Sequence, residues 1–208
     1  MNANKKDLYI IDLLKKSIAT GNPCLDLSYE RLGDAGILLL SRMHDLSHLT
    51  QLNLSWNELT SKGVVALAQC GSLTNLTVLT LDANKIGDDG LHAIAESKAL
   101  SSLQVLTLTK NNIADSGALA LIKSTKLSQL SILDLELNDI GQERLTKFPD
   151  GTANASLSRL NLRRNKIGDD TIIDWLQTGA FVPVKKLNLG WNKINDNGMV
   201  ALAKSPML

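Results

Sequence analysis

Three groupings along the chain carry residue types from which chemistry is built. The adjacent acids Asp88–Asp89 and Asp169–Asp170 could hold a cation or share a proton. His44 and His48 stand four apart, the spacing that sets two imidazoles on one face of a helix as metal ligands. Residues 195–198, NDNG, resemble part of a calcium loop, but Lys193 stands where the first acidic ligand belongs and Lys204 where the closing glutamate belongs. The histidines lie past the end of a helical pattern with no third ligand in register, and read as surface residues. No H-E-x-x-H, G-x-x-x-x-G-K, G-x-G-x-x-G or G-x-S-x-G occurs. The paired acids recur at the start of helical patterns, where negative charge suits the helix dipole. The expectation is a protein that is not an enzyme, with no catalytic residue, no metal and no cofactor.

The frame that holds these residues is an internal repeat. LNLSWNELTSKG at 52–63 returns as LNLGWNKINDNG at 187–198, and the asparagine of the phrase recurs at Asn57, Asn84, Asn111, Asn138, Asn165 and Asn192, 27 residues apart each time. Leucine columns that begin at Leu25 and Leu27 run at the same interval to Leu187 and Leu189 without exception. A third apolar column runs from Leu32 through Leu59 and Ile86 to Ile194. L-x-L alternation predicts a short strand with one face inward. Asp34, Ser61, Asp88, Asp115, Asp169 and Asp196 stand where a helix takes an N-cap acceptor, and apolar residues such as Leu91, Ile94 and Ala95 then return at helical spacing. One strand–turn–helix unit cannot bury its own apolar face, so the units must stack. The expected fold is an α/β solenoid: a horseshoe arc of seven repeats, parallel strands on the concave face and helices on the convex face. The fifth repeat frays at Gln142, Arg144, Pro149 and Asn154, which predicts a helix ending before Pro149 and an irregular segment at 149–156.

The pattern LxxLxLxxNxIxxxGxxxLA resembles the leucine-rich repeat family, and within it the ribonuclease-inhibitor-like subfamily, in which a helix follows each strand. The resemblance spans residues 22–208 and implies a non-enzymatic module that binds a protein through its strand face. Three other functions have partial support. GTPase activators of the Ran-directed type are similar but have more repeats and an acidic tail. Substrate receptors of ubiquitin ligases, including GALA-type bacterial effectors, share phrases like VVALA at 64–68 and MVALA at 199–203, but carry an F-box for which the N-terminal stretch is too short. An architectural piece of a longer protein is the third. The array also looks like the short repeat proteins that intracellular bacteria deliver to the host cytosol.

Composition sets the remaining bounds. With 22 basic and 21 acidic residues the chain has no field that would draw nucleic acid or a membrane surface, and no apolar run reaches the length of a membrane span. In residues 5–19, Asp7 and Asp12 interrupt the apolar stretch, which argues against a signal peptide; Leu8, Ile11, Leu14 and Ile18 fall on one helical face. Residues 1–21 are therefore expected to form a helix capping the solenoid of residues 22–208. Cys24 in the first strand and Cys70 after the second repeat's helix lie too far apart to bridge, and a reducing, cytoplasmic setting is expected.

The asparagine ladder reads as structural, its amides serving backbone groups in the turn after each strand; Glu30 takes the slot in the first repeat. Function is then expected on the outward strand positions. One column there reads Asp26, Asn53, Thr80, Thr107, Asp134, Asn161, Asn188; the next Ser28, Ser55, Asp82, Thr109, Glu136, Arg163, Gly190; the one beside the asparagine Tyr29, Trp56, Ala83, Lys110, Leu137, Arg164, Trp191. Of seven aromatic residues, Tyr29, Trp56 and Trp191 share this last column. Two readings stand: they are binding surface, or they cover neighbouring turns. The acids Asp82, Asp134 and Glu136 lie mid-face, and Arg159, Arg163, Arg164, Lys185 and Lys186 crowd the last two strands. Glu136 and Arg163 are expected to pair. The other bases, beside Trp191, are a solvated face or a docking site for an acidic protein partner. The chain stops at Leu208 after a complete helix pattern, so its last repeat is expected either to continue in a longer protein or to be covered by a two-fold mate at the C-terminal edge.

Overall fold

A computed structural model describes residues 3–43, 46–141, 154–177, 181 and 183–205. Seven three-residue strands form one parallel sheet: β1 (Cys24–Asp26), β2 (Gln51–Asn53), β3 (Val78–Thr80), β4 (Val105–Thr107), β5 (Ile132–Asp134), β6 (Arg159–Asn161) and β7 (Lys186–Asn188). Each pairs only with its sequence neighbours, and Leu25 faces Leu52, Leu52 faces Leu79 and so on to Leu187. The 27-residue period is therefore the sheet register itself. Helix α1 (Ala3–Ala19) precedes the sheet; α2 (Gly33–Ser41), α3 (Ser61–Ala68), α4 (Gly87–Ala95), α5 (Asp115–Ile122), α6 (Asp169–Gln177) and α7 (Asp196–Lys204) follow their strands. Packed helices need about 8–10 Å each and paired strands about 4.8 Å. With a helix beside a strand in most repeats, the stack bends into an arc with the sheet inside.

The leucine and isoleucine columns run through the centre, fully buried from Leu52 to Ile167. At the near end Ile10 and Leu14 of α1 are buried against them, with Leu13 and Ile18 partly so. Leu8 is exposed, so the apolar face of α1 is turned from the Leu8–Ile11 line expected above. Trp175 and Phe181 meet edge to face at 5.6 Å inside the helix layer. The segment expected to be irregular lies mostly outside the described residues, as does His44; Asn154, in a leucine slot, is buried with Nδ2 donating to Leu127 O at 2.6 Å.

Two side-chain ladders lock repeat to repeat. In the asparagine ladder, Oδ1 accepts the N–H two residues past the slot of the preceding repeat: Leu32 from Asn57, Leu59 from Asn84, Ile113 from Asn138, Ile140 from Asn165 and Ile167 from Asn192, all at 3.0–3.1 Å. Nδ2 donates to strand carbonyls, such as Asn84 to Leu54 O and Leu81 O. The aspartate column does something the sequence did not suggest. These residues are not N-caps: the caps are Leu32, Thr60, Ile86, Ala114 and Asn195, and only Thr60 caps with its side chain. Asp34, Asp88, Asp115 and Asp169 sit inside their helices' first turns and accept an N–H from the next repeat: Thr60 to Asp34, Ala114 to Asp88, Gly141 to Asp115, Asn195 to Asp169, at 2.7–2.8 Å. That carboxylate occupies the space beside the next helix. A Cβ on Gly63 would stand 2.5 Å from Asp34 Oδ1, and one on Gly198 2.6 Å from Asp169 Oδ1, which explains the glycine where an aspartate precedes it by one repeat; Gly36 and Gly90 instead leave room for Leu32 and Ile86 of their own repeats.

Candidate functional site

The strand leucines share one buried core with the helices on one side of the sheet, and the outward strand positions on the other side are half-buried or exposed apart from Ser55. Its outward positions form a floor along the strands, ending in a rim at the turns that carry the asparagines. On the floor the mid-face acids are tied into a chain of contacts. Thr109 N–H donates to Asp82 Oδ1 at 2.8 Å, and the Thr109 hydroxyl to Asp134 Oδ1 at 3.4 Å. Asn161 Nδ2 donates to Asp134 Oδ2 at 3.0 Å and to Glu136 Oε2 at 3.2 Å. Arg163 Nη1 meets Glu136 Oε1 at 2.6 Å, the pair expected from their shared column. Burial works against the Glu136 carboxylate, but the bonds from Arg163 and Asn161 outweigh it and hold the group below the ordinary carboxylate range. Asp82 differs: burial pushes its carboxyl up, the Asp134 charge adds to this, and the Thr109 N–H offsets only part.

The rim is built otherwise. Tyr29, Trp56, Ala83, Lys110, Leu137, Arg164 and Trp191 all have left-handed backbone, with φ from 54° to 63°. Such a conformation costs a bulky L-residue about 1–2 kcal/mol, and glycine or asparagine would adopt it more cheaply. Tyr29 and Trp56 stack at 5.5 Å and 11° between planes. Lys110 Nζ reaches past the small Ala83 to 5.1 Å from the Trp56 ring, leaving a cleft of about 500 Å³ lined also by Arg31, Glu58 and Lys85. At the far end the guanidinium carbons of Arg164 and Arg163 lie 5.5 and 5.8 Å from the Trp191 ring. The rings stay largely open to solvent: Tyr29 is 68% exposed, Trp56 46% and Trp191 74%.

The structure thus gathers Tyr29 with Trp56, the acids with Arg163, and Arg164 with Trp191. It sets Trp56 and Trp191 five strands apart. It also divides the basic cluster, because Arg159 and Lys186 open their strands while Arg164 and Trp191 lie in the turns past the strand ends. One feature escaped the sequence reading although register alone could have found it: Val78, Val105 and Ile132 form a half-buried apolar stripe at the first floor position. Leu137 of the aromatic column is 40% exposed. Elsewhere both cysteines are free, Cys24 exposed and Cys70 buried. His48 is partly buried rather than on the open surface, and its Nε2 has no hydrogen-bond partner among the described residues. Among those residues no three His, Cys, Asp or Glu side chains gather as metal ligands, and no helix is long and apolar enough to cross a membrane.

Segments 45–68, 72–95, 99–121, 153–171 and 183–203, together more than half the chain, match the family pattern described as Leucine Rich repeat. Among curated proteins none matches the chain.

Proposed function

The chain belongs to the leucine-rich repeat family, and on that premise we propose that it is a non-enzymatic module whose concave strand face grips a protein partner. The observation that carries this reading is the uncovered sheet: seven strands present outward side chains that are half-buried or exposed apart from Ser55. Seven strands at about 4.8 Å span about 29 Å, enough for a standard interface of about 800 Å² per partner. Leucine-rich repeats generally mediate protein–protein interaction, which points the same way. Arg164 beside Trp191, with the exposed bases Arg159 and Lys186 at the strand starts, favours an acidic partner surface, and two well-separated free cysteines favour a reducing, cytoplasmic compartment. Self-association at the β7 edge belongs to the same reading, because Leu187, Leu189 and Ile194 are only partly buried there and Met199 and Val200 are exposed.

Affinity capture from cell lysate tests the module. The Trp191→Ala/Lys186→Glu variant is expected to keep its circular dichroism spectrum and to lose the captured partner. A captured partner that binds this variant as well as the parent chain refutes the docking site, and a parent chain that captures nothing refutes the module.

A further inference from the structure

The floor and the rim differ in what they leave unsatisfied. Floor acids are consumed by neighbours: Asp82 and Asp134 by Thr109 and Asn161, Glu136 by Arg163. On the rim Arg31, Lys85, Lys110, Arg164 and Lys193 are exposed and make no salt bridge among the described residues, against one such acid, Glu58. Lys166 is spent on Asp139 at 2.5 Å. Apart from residues on α1, α2 and α7, every exposed large apolar side chain of the described chain is also on the rim: Tyr29, Trp56, Leu137 and Trp191. Positive charge and apolar surface therefore run together along one edge.

We infer that, at the edge of the strand face that grips the partner, this rim rather than the floor docks an extended acidic segment of that partner, with Trp56 and Trp191 as its two anchors. The inference rests on the reading of the chain as a protein-binding module and names the surface and the partner chemistry. Trp56 and Trp191 stand five strand intervals apart, about 24 Å, which about seven extended residues span. Each ring is held by its own cation, Lys110 or Arg164, so a carboxylate arriving beside the ring meets a charge already in place. Leu137 lies between the anchors and offers an apolar contact. Single-stranded nucleic acid fits less well. Its bases would need the ring faces that Tyr29, Lys110 and Arg164 already occupy, and its phosphates would meet Glu58.

The test uses random peptides of about ten residues displayed on phage and selected on the full chain, with an enriched peptide then measured by fluorescence polarisation. Enrichment of acidic residues interleaved with apolar ones is expected. Trp56→Asn/Trp191→Asn, in which asparagine suits the left-handed backbone, should keep the fold by circular dichroism and weaken binding about thirtyfold or more. Arg159→Glu/Lys186→Glu, on the floor, should change it by less than about threefold. Binding should also weaken as salt rises. Loss of binding in the floor variant alone, enrichment of non-acidic peptides, or no enrichment at all overturns the rim assignment. So does tight binding of a labelled oligothymidine that the rim variant abolishes. In each case the module reading stands or falls separately, by the lysate capture above.

Discussion

Asn84→Leu and Asn111→Leu are the same change in the same column, yet the structure predicts different costs. Asn84 Oδ1 accepts from Asn57 N–H and Leu59 N–H, both at 3.0 Å, and neither N–H has another described acceptor. Its Nδ2 donates to Leu54 O at 3.1 Å and Leu81 O at 2.8 Å. Leu81 O also receives Asn111 Nδ2 and keeps a partner. Leucine at 84 therefore strands three buried backbone groups, at about 1–3 kcal/mol each, or about 3–9 kcal/mol before relaxation. At Asn111 the carbonyls served are Leu81 O, shared with Asn84, and Thr109 O, which also accepts Ala83 N–H at 2.7 Å. Asn111 Oδ1 is itself buried without a partner. Asn111→Leu strands nothing and removes one unsatisfied oxygen, so its cost is the two bonds, about 1–3 kcal/mol in all. Urea denaturation followed by circular dichroism reads both midpoints, compared at unchanged m-value. Equal midpoint losses, or a larger loss at 111, would refute the accounting of stranded groups.

Two further expectations follow from the floor acids and the stack end. Asp82 has a raised folded pKa, so its stabilising contribution is complete below the unfolded pKa and is lost as pH rises through the folded value; Asp82→Asn should raise the urea midpoint near about pH 7 and lose that advantage below about pH 4. Glu136 has a lowered folded pKa, whose contribution is present above the unfolded value and lost as pH falls through the folded one, so Glu136→Gln should destabilise at neutrality and become silent in acid; equal signs for the two substitutions would contradict both assignments. Sedimentation over about a hundredfold range of concentration should show association that an added polar cap after α7 suppresses; a monomer throughout, with or without the cap, would remove the β7 edge as a contact.

The register of the sheet was legible to the residue, because an unbroken 27-residue interval can mean only strands paired at that offset. The destination of the aspartates was not. Locally, Asp88 before a helical pattern looks like a cap, whereas the N–H it serves belongs to Ala114, 26 residues on. The glycine column held the missing clue, since Gly117 must leave room for the Asp88 carboxylate. Nor does sequence separate Asn84 from Asn111, because their difference lies in whether Oδ1 comes within reach of an N–H. For the site, the shared column of Tyr29, Trp56 and Trp191 was visible, as was the Glu136–Arg163 pair. The split of the bases was hidden by their closeness in sequence: Arg159 and Arg164 are five residues apart, but the first opens β6 and the second lies in the turn beyond it.

A repeat protein separates what its fold requires from what it merely permits, since each column poses the same structural demand seven times. Where the demand is on the side chain, the chain answers almost uniformly, with leucine in the core and asparagine at six of seven turns, Glu30 being the exception. At the rim the demand is only on the backbone, a left-handed φ that asparagine or glycine meets at least cost. None of the seven positions uses either residue. They hold three aromatics, two cations, a leucine and an alanine, each disfavoured in that conformation, and the aromatics and leucine are exposed to water besides. Backbone geometry does not select such side chains, and within the chain they gain only the stack of Tyr29 on Trp56 and the cations beside the tryptophan rings. A contact outside the chain is the reason we propose for them, and the column's pairing of rings with cations sets the kind of surface that contact would have.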